Sequence, residues 1–406
     1  MVAWPGMGPL EELLFLGTLM ALGAFSIDVM LPALEATAHR YGTSPTAAQL
    51  VVGLYFLGFA LGQLLWGPLM DALGRRKVLR GALFGFSLAA LATVAAPGFS
   101  LLLAARFVQG FFAASFRIGV TASIRDRYRG EAMARRLSYA LLVLMVAPVL
   151  APALGVAFLG LLALLWSGRF RETLPEEARR PLRLASLGEG ALLVLRDRRA
   201  GLYALALGGV FGILYAYLAA SAELYKAHLG LSNPAFALAF GATGLVLAGA
   251  NLLGPQVVAR LGLGKALRRA VAGLLALLLF LPLHALAPRP FPFWLHLTSV
   301  LLLVVFTFPN AQARALEGLG KVAGLAASFT GFLSTLLAAL LGTLVGQASG
   351  GAPLPFSLGL LGLGVLAFAA VFLAEASPLC GSPPPGGPGG SPPGSAPPGG
   401  GGGPGG

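Results

Sequence analysis

The chain has 406 residues, of which 57% are hydrophobic and 11% charged, and its mean hydropathy is +0.83. A soluble domain carries about 25% charged residues, so this composition excludes a soluble globular protein. The single cysteine, Cys380, excludes an internal disulfide and a cysteine-rich metal site. The net charge is +13, but the basic residues gather in loops between apolar runs, which indicates membrane topology rather than nucleic-acid binding.

Apolar runs of about 20 residues, long enough to cross a hydrocarbon core as helices, recur along the chain. We predict membrane spans near residues 13–35, 47–69, 80–97, 99–123, 200–222, 235–259, 267–287, 291–312, 322–347 and 353–374. One further apolar run, 137–166, has 30 residues. Two crossings need roughly 40 residues plus a turn, so we expect this region to be shortened or abnormal.

Loops rich in arginine and lysine alternate with loops poor in both. The basic residues of the rich loops are Arg75, Arg76, Lys77, Arg80, Arg125, Arg127, Arg129, Arg135, Arg136, Arg260, Lys265, Arg268 and Arg269, with eight more arginines within 168–199. Cytoplasmic loops carry the excess of basic residues. We therefore predict a multi-pass protein of the bacterial cytoplasmic (inner) membrane with both termini in the cytoplasm. An even number of crossings should then separate 125–136 from 168–199.

The polar stretch 168–199 divides the chain into two halves. We predict an N-terminal helical bundle over 1–167, a cytoplasmic central loop over 168–199 and a C-terminal helical bundle over 200–375. The remaining segment, 376–406, contains only Gly, Pro, Ser and Ala from residue 381 onward, a composition that cannot bury apolar surface and predicts disorder. Two bundles are typical of a transporter whose site lies between them.

The most polar short run in the first 120 residues is GPLMDALGRRKVL, residues 67–79. Its pattern, G-x-L-x-D-x-x-G-R-R-x-x-L, comprises Gly67, Leu69, Asp71, Gly74, Arg75, Arg76 and Leu79. A glycine at 67 permits close helix approach and one at 74 a tight turn, while Asp71 can pair with Arg75 or face the positive end of a nearby helix. The pattern resembles the signature loop between spans two and three of the major facilitator superfamily. This resemblance implies that the cluster latches the two halves in the outward-facing state.

Other segments resemble the drug-resistance branch of that superfamily, typified by bicyclomycin and chloramphenicol exporters. They are SIDVMLPAL (26–34), LYFLGFALGQLLWGPLMDALGRR (54–76), ARFVQG (105–110), VAPVLAPALG (146–155) and FTFPNAQARALE (306–317). The resemblance covers about residues 13 to 375. It implies an all-α membrane protein built from two pseudo-symmetric transmembrane bundles, nominally of twelve spans. The chain has no Walker A, HExxH or GxSxG motif, so we expect neither an enzyme nor a bound metal or cofactor.

Asp28 is the only acid well inside the first predicted span, and intramembrane carboxylates are costly and usually functional. Counting 1.5 Å per residue from the predicted span ends places Asp28 and Arg106 each about 10 Å from the outer end. We predict that Asp28 carries a coupling proton and that Arg106 is its electrostatic partner. The resemblance implies the same roles. A static ion pair that only fixes packing is the alternative.

Gln109 lies one turn from Arg106, which places both on one helix face. We predict that Gln109 lines a substrate cavity together with tyrosines that can stack on an aromatic drug, Tyr55, Tyr215 and Tyr217. Interhelical hydrogen bonding and packing are the alternative roles for these residues. Arg117 lies deep in the fourth predicted span, where the drug-resistance branch usually has an apolar residue, and Thr121 stands where that branch usually has a basic one. A relocated charge that alters the charge preference for substrates is one interpretation. The interpretation we favour is a side chain that snorkels toward the cytoplasm.

Pro148 and Pro152, with Gly155, resemble the antiporter signature of span five. Prolines remove helix hydrogen bonds and bend a span. Where the family pattern usually has a second glycine, this chain has Val156. The signature supports antiport.

The sequence thus predicts a monomeric, proton-coupled antiporter that exports small hydrophobic drugs across the lipid bilayer by alternating access. Two alternatives stay open. An uptake symporter or facilitator is opposed by the antiporter-like span five. A non-transporting membrane protein, such as a sensor or a degenerate copy, is favoured by the short run 137–166 and opposed by the intact loop motif, Asp28 and Arg106.

Overall fold

The computed structural model describes residues 7–31, 33–127, 156–179, 185–317 and 323–376. The α-helices of the described residues are α1 (Pro9–Asp28), α2 (Leu34–Tyr41), α3 (Pro45–Ala48), α4 (Leu50–Leu73), α5 (Arg75–Ala95), α6 (Phe99–Arg127), α7 (Val156–Trp166), α8 (Ala185–Arg196), α9 (Arg198–Glu223), α10 (Asn233–Leu261), α11 (Leu263–Leu286), α12 (Pro290–Leu316), α13 (Ala323–Ser349) and α14 (Pro353–Ala376). Short 3-10 turns at Ser167–Arg169 and Glu176–Ala178 and a π-helical turn at Leu224–His228 complete the regular structure of these ranges. The predicted span-five residues Pro148, Pro152 and Gly155, and the tail beyond residue 376, lie outside the described residues.

Ten candidate spans within the described residues are long and apolar enough to cross a membrane, which confirms the all-helical membrane fold. Their positions follow the predicted spans to within a few residues, with one exception. The first span was predicted to reach residue 35, but α1 ends at Asp28, and turns follow before α2 begins at Leu34. The predicted boundary was wrong because Pro32 lacks a backbone N–H and cannot continue a helix. Asp28 is therefore the last residue of α1 rather than well inside it.

The backbones of α4 and α6 touch at small residues. A Cβ built on Gly58 would lie 2.0 Å from the carbonyl oxygen of Phe107, and one built on Gly110 would lie 1.9 Å from that of Tyr55. Any side chain at these positions would force the helices apart. Membrane helices, which gain little from the hydrophobic effect when they associate, commonly pack through such small residues.

The described helices form an N-terminal half, α1 to α7, and a C-terminal half, α9 to α14. Two of the buried apolar clusters lie entirely within the C-terminal half. The largest cluster fills the N-terminal half and extends across to Tyr215 of α9 and Ala338 and Ala339 of α13. The two halves thus meet along α4, α9 and α13, and the exact limits of the predicted domains stay a prediction.

The helix ends that carry most arginines, which we call the arginine-rich end, are held together by ion pairs inside each half. In the N-terminal half the start of α1 pairs with the end of α6 and the residues after α7, through Glu12–Arg127 and Glu11–Arg169 (3.0 Å). In the C-terminal half the start of α9 pairs with the ends of α12 and α14, through Arg199–Glu317 (3.5 Å) and Arg199–Glu375 (3.6 Å). The first helix of each half is therefore joined to two other parts of its half by ion pairs, with acids on α1 and a base on α9. These ion pairs join three helices within each half.

The segments before and after residues 128–166 both contact α1. Arg127 and Arg169 both contact the beginning of α1, so the segments on either side of 128–166 lie at the same end. This placement agrees with the charge bias of the loops, and the number of crossings between the two segments stays a prediction. The eleven residues of α7 rise about 16 Å, from Val156, which packs near Phe25, to Trp166, whose Nε1 donates to Glu11 (2.9 Å). The expected shortening of the region 137–166 stays a prediction, because residues 137–155 lie outside the described residues.

Candidate functional site

The loop between α4 and α5 forms a buried polar cluster at the arginine-rich end. Arg75 is only 2% exposed, although it begins α5, and its guanidinium bridges two acids. Its Nη1 lies 2.7 Å from Asp71 Oδ1 and its Nε donates to Asp126 Oδ2 at 3.2 Å. The predicted Asp71–Arg75 pair is thus present, and Asp126 on α6 is a second partner. Arg76 donates to the carbonyl oxygen of Gly168 (2.8 Å).

The sequence reading missed Glu172, which completes this cluster. Its carboxylate accepts from the backbone N–H groups of Arg75 (2.9 Å) and Arg76 (3.1 Å), the first residues of α5. A carboxylate is stabilised at a helix N-terminus because the first N–H groups have no partner inside the helix. Gly74 makes room for it: its φ is +92°, and a Cβ there would lie 2.5 Å from Glu172 Oε2. The equivalent turn in the C-terminal half, between α10 and α11, uses Gly262 with φ +76°.

Gly67 lies on the side of α4 that faces the C-terminal half. A Cβ built on it would lie 3.9 Å from Ser328 Oγ of α13, an ordinary contact distance. A side chain would therefore fit at this position in the present conformation, and the predicted role of Gly67 in a close helix approach stays a prediction.

Replacing Glu172 with alanine should destabilise the folded protein by about 2 kcal/mol, because a charged acceptor contributes roughly 1.5–3 kcal/mol per hydrogen bond that it satisfies. The carboxylate also accepts from the N–H groups of Thr173 and Leu174. The free energy of unfolding is measured by denaturant titration of the purified protein in detergent. Glu177→Ala, which removes an exposed acid from the same segment, should change it by less than about 0.5 kcal/mol. Equal losses in both variants would contradict the capping role.

Polar contacts join the two halves at the opposite, arginine-poor end. Gln49 Nε2 donates to Glu223 Oε2 (2.8 Å), and Lys226 Nζ donates to Glu35 Oε2 (2.6 Å). The hydrogen bond from Lys226 lowers the pKa of the Glu35 carboxyl, so this pair is charged at neutral pH and is lost only as the pH falls below the ordinary range of a glutamate. Within the described residues, the ion pairs of the arginine-rich end stay inside one half, whereas these contacts cross between halves.

Deeper in the molecule, the interface between halves is aromatic and tightly packed. Phe56 of α4 stacks on Tyr215 of α9, with ring centroids 3.5 Å apart and planes inclined by 14°. Nearer the middle of the interface, Gln63 Nε2 donates to Thr335 Oγ1 of α13 (2.8 Å). Together with the polar contacts above, these contacts close the space between the halves at the arginine-poor end.

Arg106 lies fully buried in the N-terminal half, and its contacts are local. Its Nε donates to the carbonyl oxygen of Val51 (3.2 Å) and its Nη1 to Gln109 Oε1 (2.7 Å), while its Cζ lies 4.6 Å from the ring centroid of Tyr55. The predicted sharing of one helix face by Arg106 and Gln109 is therefore present. The Nη2 group, also buried, makes no hydrogen bond with the described residues. Gln109 continues the network by donating to Ser26 Oγ (3.4 Å).

Asp28 lies two residues beyond Ser26, at the end of α1. Among the described residues it forms no ion pair, with Arg106 or any other base. Its carboxyl is close enough to act electrostatically on two tyrosine hydroxyls, that of Tyr55 in the N-terminal half and that of Tyr217 in the C-terminal half. The acid and the arginine thus belong to one neighbourhood without direct contact, and the predicted pairing stays a prediction.

The four residues predicted to line a substrate cavity are all buried. Tyr55 is 0%, Gln109 2%, Tyr217 2% and Tyr215 8% exposed. The hydroxyl of Tyr55 donates to the carbonyl oxygen of Gly23 (2.8 Å), and Tyr217 stacks on Phe240 with ring centroids 6.0 Å apart. These side chains pack at the closed part of the interface, and no described contact assigns them to a substrate.

Arg117 has a different position from the one its sequence suggested. It is exposed, yet it lies among protein atoms of both halves, with its Cζ 5.7 Å from the ring centroid of Phe308 on α12 and with Tyr215 within electrostatic range. The interpretation as a side chain snorkelling along its own helix missed this contact across the interface. The spacing between Arg106 and Arg117 could have indicated that Arg117 faces the interface. Eleven residues are close to three helical turns, so both arginines lie on the same face of α6.

Comparisons with known proteins agree with this architecture. Residues 13–343 match the profile of the Major Facilitator Superfamily. An uncharacterised transporter of this type from Bacillus subtilis is 30% identical over 82% of this chain and 87% of its own. A bicyclomycin resistance protein homologue of Haemophilus influenzae is 30% identical over 86% of this chain and 92% of its own. A chloramphenicol resistance protein of Pseudomonas aeruginosa is 28% identical over 80% and 81%.

Solved structures show the same fold. The D-xylose–proton symporter superposes with a TM-score of 0.71 at 15% sequence identity, over 90% of this chain and 96% of that one. A bacterial homologue of the lysosomal transporter Spinster, in an inward-facing conformation, superposes with a TM-score of 0.68 at 14% identity, over 91% and 98%. The chain therefore belongs to the major facilitator superfamily of multi-pass membrane transporters for small molecules.

Proposed function

We propose that the protein is a proton-coupled antiporter that exports small hydrophobic drugs from the bacterial cytoplasm by alternating access. The observation that carries the proposal is the position of Asp28, an acid without a counter-ion among the described residues, at the junction of the two halves. The names of the Haemophilus and Pseudomonas relatives, which refer to bicyclomycin and chloramphenicol resistance, support drugs as the substrates.

The distribution of basic residues supports a cytoplasmic location for the arginine-rich end and for both termini. With that orientation, the contacts of Gln49 with Glu223 and of Glu35 with Lys226 close the extracellular side. The conformation is then inward-facing, with the space beside Arg117 reached from the cytoplasm. Since one chain supplies both halves of the site, a monomer in the inner membrane is the proposed working unit.

In this scheme Asp28 exchanges between two environments. In the inward-facing conformation its carboxyl forms no ion pair with Arg106 among the described residues and lies within electrostatic range of Tyr55 and Tyr217. Movement of the C-terminal half away from Asp28 would admit protons from outside. A closer approach of the Asp28 carboxyl to Arg106 Nη2, which has no hydrogen-bond partner among the described residues, would favour proton release. Drug leaves the site when the proton arrives, so the two move in opposite directions.

A proteoliposome experiment tests the direction of coupling. Purified protein is reconstituted, a pH gradient is imposed, and entry of radiolabelled chloramphenicol, an uncharged drug that no pH gradient concentrates by itself, is measured against protein-free vesicles. Antiport predicts accumulation inside vesicles whose interior is acidic, because protons leave as drug enters. Accumulation only in alkaline vesicles would instead indicate symport. Entry equal to that of protein-free vesicles, repeated with bicyclomycin, would indicate a protein that does not transport these drugs.

A further inference from the structure

The geometry points to Arg117 as a specificity-determining cation at the interface between the two halves, which we propose selects substrates carrying an anionic group next to an aromatic ring. This inference rests on the proposed function, because it assigns the substrate class of the same export pathway. It starts from Arg117 of α6, which is exposed and contacts the C-terminal half.

Arg117 has no carboxylate partner among the described residues. Several arginines at the helix ends pair with acids of their own half, as Arg75 does with Asp71 and Arg199 with Glu375. Arg106, the other arginine on this face of α6, is buried and bonded to a backbone carbonyl and to Gln109. Among the described residues, the contacts of the Arg117 guanidinium are a cation–π contact with Phe308 and an electrostatic interaction with Tyr215.

An uncompensated cation inside a membrane domain is costly, and such residues usually mark a substrate or ion pathway. Asp28 does not compensate it, since no ion pair joins the two side chains among the described residues. The planar guanidinium offers paired donors that match a carboxylate or phosphate. An anionic substrate would therefore supply the negative charge that Arg117 lacks among the described residues.

The surroundings of Arg117 add a requirement for an aromatic ring. Phe211 and Phe308 lie edge to face with centroids 3.8 Å apart, and Phe211 also contacts Tyr215 at 5.7 Å. This aromatic wall belongs to the C-terminal half, whereas Arg117 belongs to the N-terminal half. Without a ligand the cation rests on Phe308 through a cation–π contact. A ligand with an anionic group beside a ring can bind the cation and pack on the wall at once, bridging the halves.

The test uses a matched pair of fluorescent probes, dansylglycine and its uncharged methyl ester, which share one aromatic body. Binding to the purified protein in lipid nanodiscs is followed by dansyl fluorescence. We expect the wild type to bind the acid at least tenfold more tightly than the ester. Arg117→Gln should weaken acid binding at least tenfold and leave ester binding within twofold, which also shows that the variant is folded. Arg117→Lys should restore part of the acid binding.

Arg269→Gln, which removes an exposed arginine at the start of α11, is the matched control and should change neither affinity. Phe308→Leu should weaken both probes. Equal affinity of the wild type for acid and ester, no binding of either, or equal losses of both in Arg117→Gln would overturn the anion selectivity. The chloramphenicol experiment judges export independently: transport of that neutral drug without anion preference would leave the proposed function standing and remove only this inference.

Discussion

Asp28→Asn is expected to abolish drug accumulation driven by a pH gradient while leaving drug binding in place. Asparagine has nearly the shape of aspartic acid but cannot take up or release a proton. An unpaired charge in the membrane costs at least about 2.5 kcal/mol, so an acid without a basic partner must be neutralised or find one as the protein changes conformation. Removing its charge permanently removes that coupling. Chloramphenicol accumulation in proteoliposomes should fall at least tenfold, to the level of protein-free vesicles.

Exchange of labelled for unlabelled drug in the absence of a gradient should persist in Asp28→Asn, because it requires binding and conformational change but no proton. Glu177→Gln is the control: it neutralises an exposed acid in the segment between the two halves, and should keep gradient-driven accumulation. If Asp28→Asn accumulates drug at the wild-type rate, the coupling proton is carried by another residue.

Local patterns in the sequence were sufficient for much of the fold and for part of the site. Apolar runs located the spans because crossing a bilayer demands a minimum length. The pairs Asp71–Arg75 and Arg106–Gln109 were predictable because their spacings of four and three residues bring side chains together on a helix. The charge bias of the loops also placed the segments on either side of 137–166 at one end of the molecule, in agreement with the contacts of Arg127 and Arg169 with the start of α1.

Contacts between distant segments were beyond the same reasoning. Counting residues estimates how deep a side chain lies, but it does not give the rotation of its helix or the position of its neighbours. Asp28 and Arg106 therefore could be placed at similar depth although no ion pair joins them in this conformation. Glu172 caps a helix that begins 97 residues earlier, and no periodic pattern links the two. Arg117 shares a helix face with Arg106, but its aromatic partner comes from the other half.

A disulfide between Gly53→Cys and Thr343→Cys is expected to stop transport, because it would lock the arginine-poor end closed. A Cβ built on Gly53 lies 3.4 Å from the Cβ of Thr343, close to the range of roughly 3.5–4.5 Å found in disulfides. Gly53 belongs to α4 and Thr343 to α13, so the bond would join the two halves. Alternating access requires this contact to open in each cycle, and a covalent bond prevents it. Oxidation should lower accumulation at least tenfold, and reduction with dithiothreitol should restore it.

The double variant is made in a Cys380→Ser background, so that the introduced pair holds the only thiols. Val345→Cys with Gly359→Cys is the matched control, since the Cβ atoms are 3.3 Å apart and the bond joins α13 to α14 within the C-terminal half. That bond should leave transport unchanged, because each half moves as one body while the contacts between the halves break. Mass spectrometry establishes that both disulfides have formed. If the oxidised Gly53–Thr343 pair transports as fast as its reduced form, the arginine-poor end does not open during transport, and substrate leaves by a route that keeps α4 and α13 together.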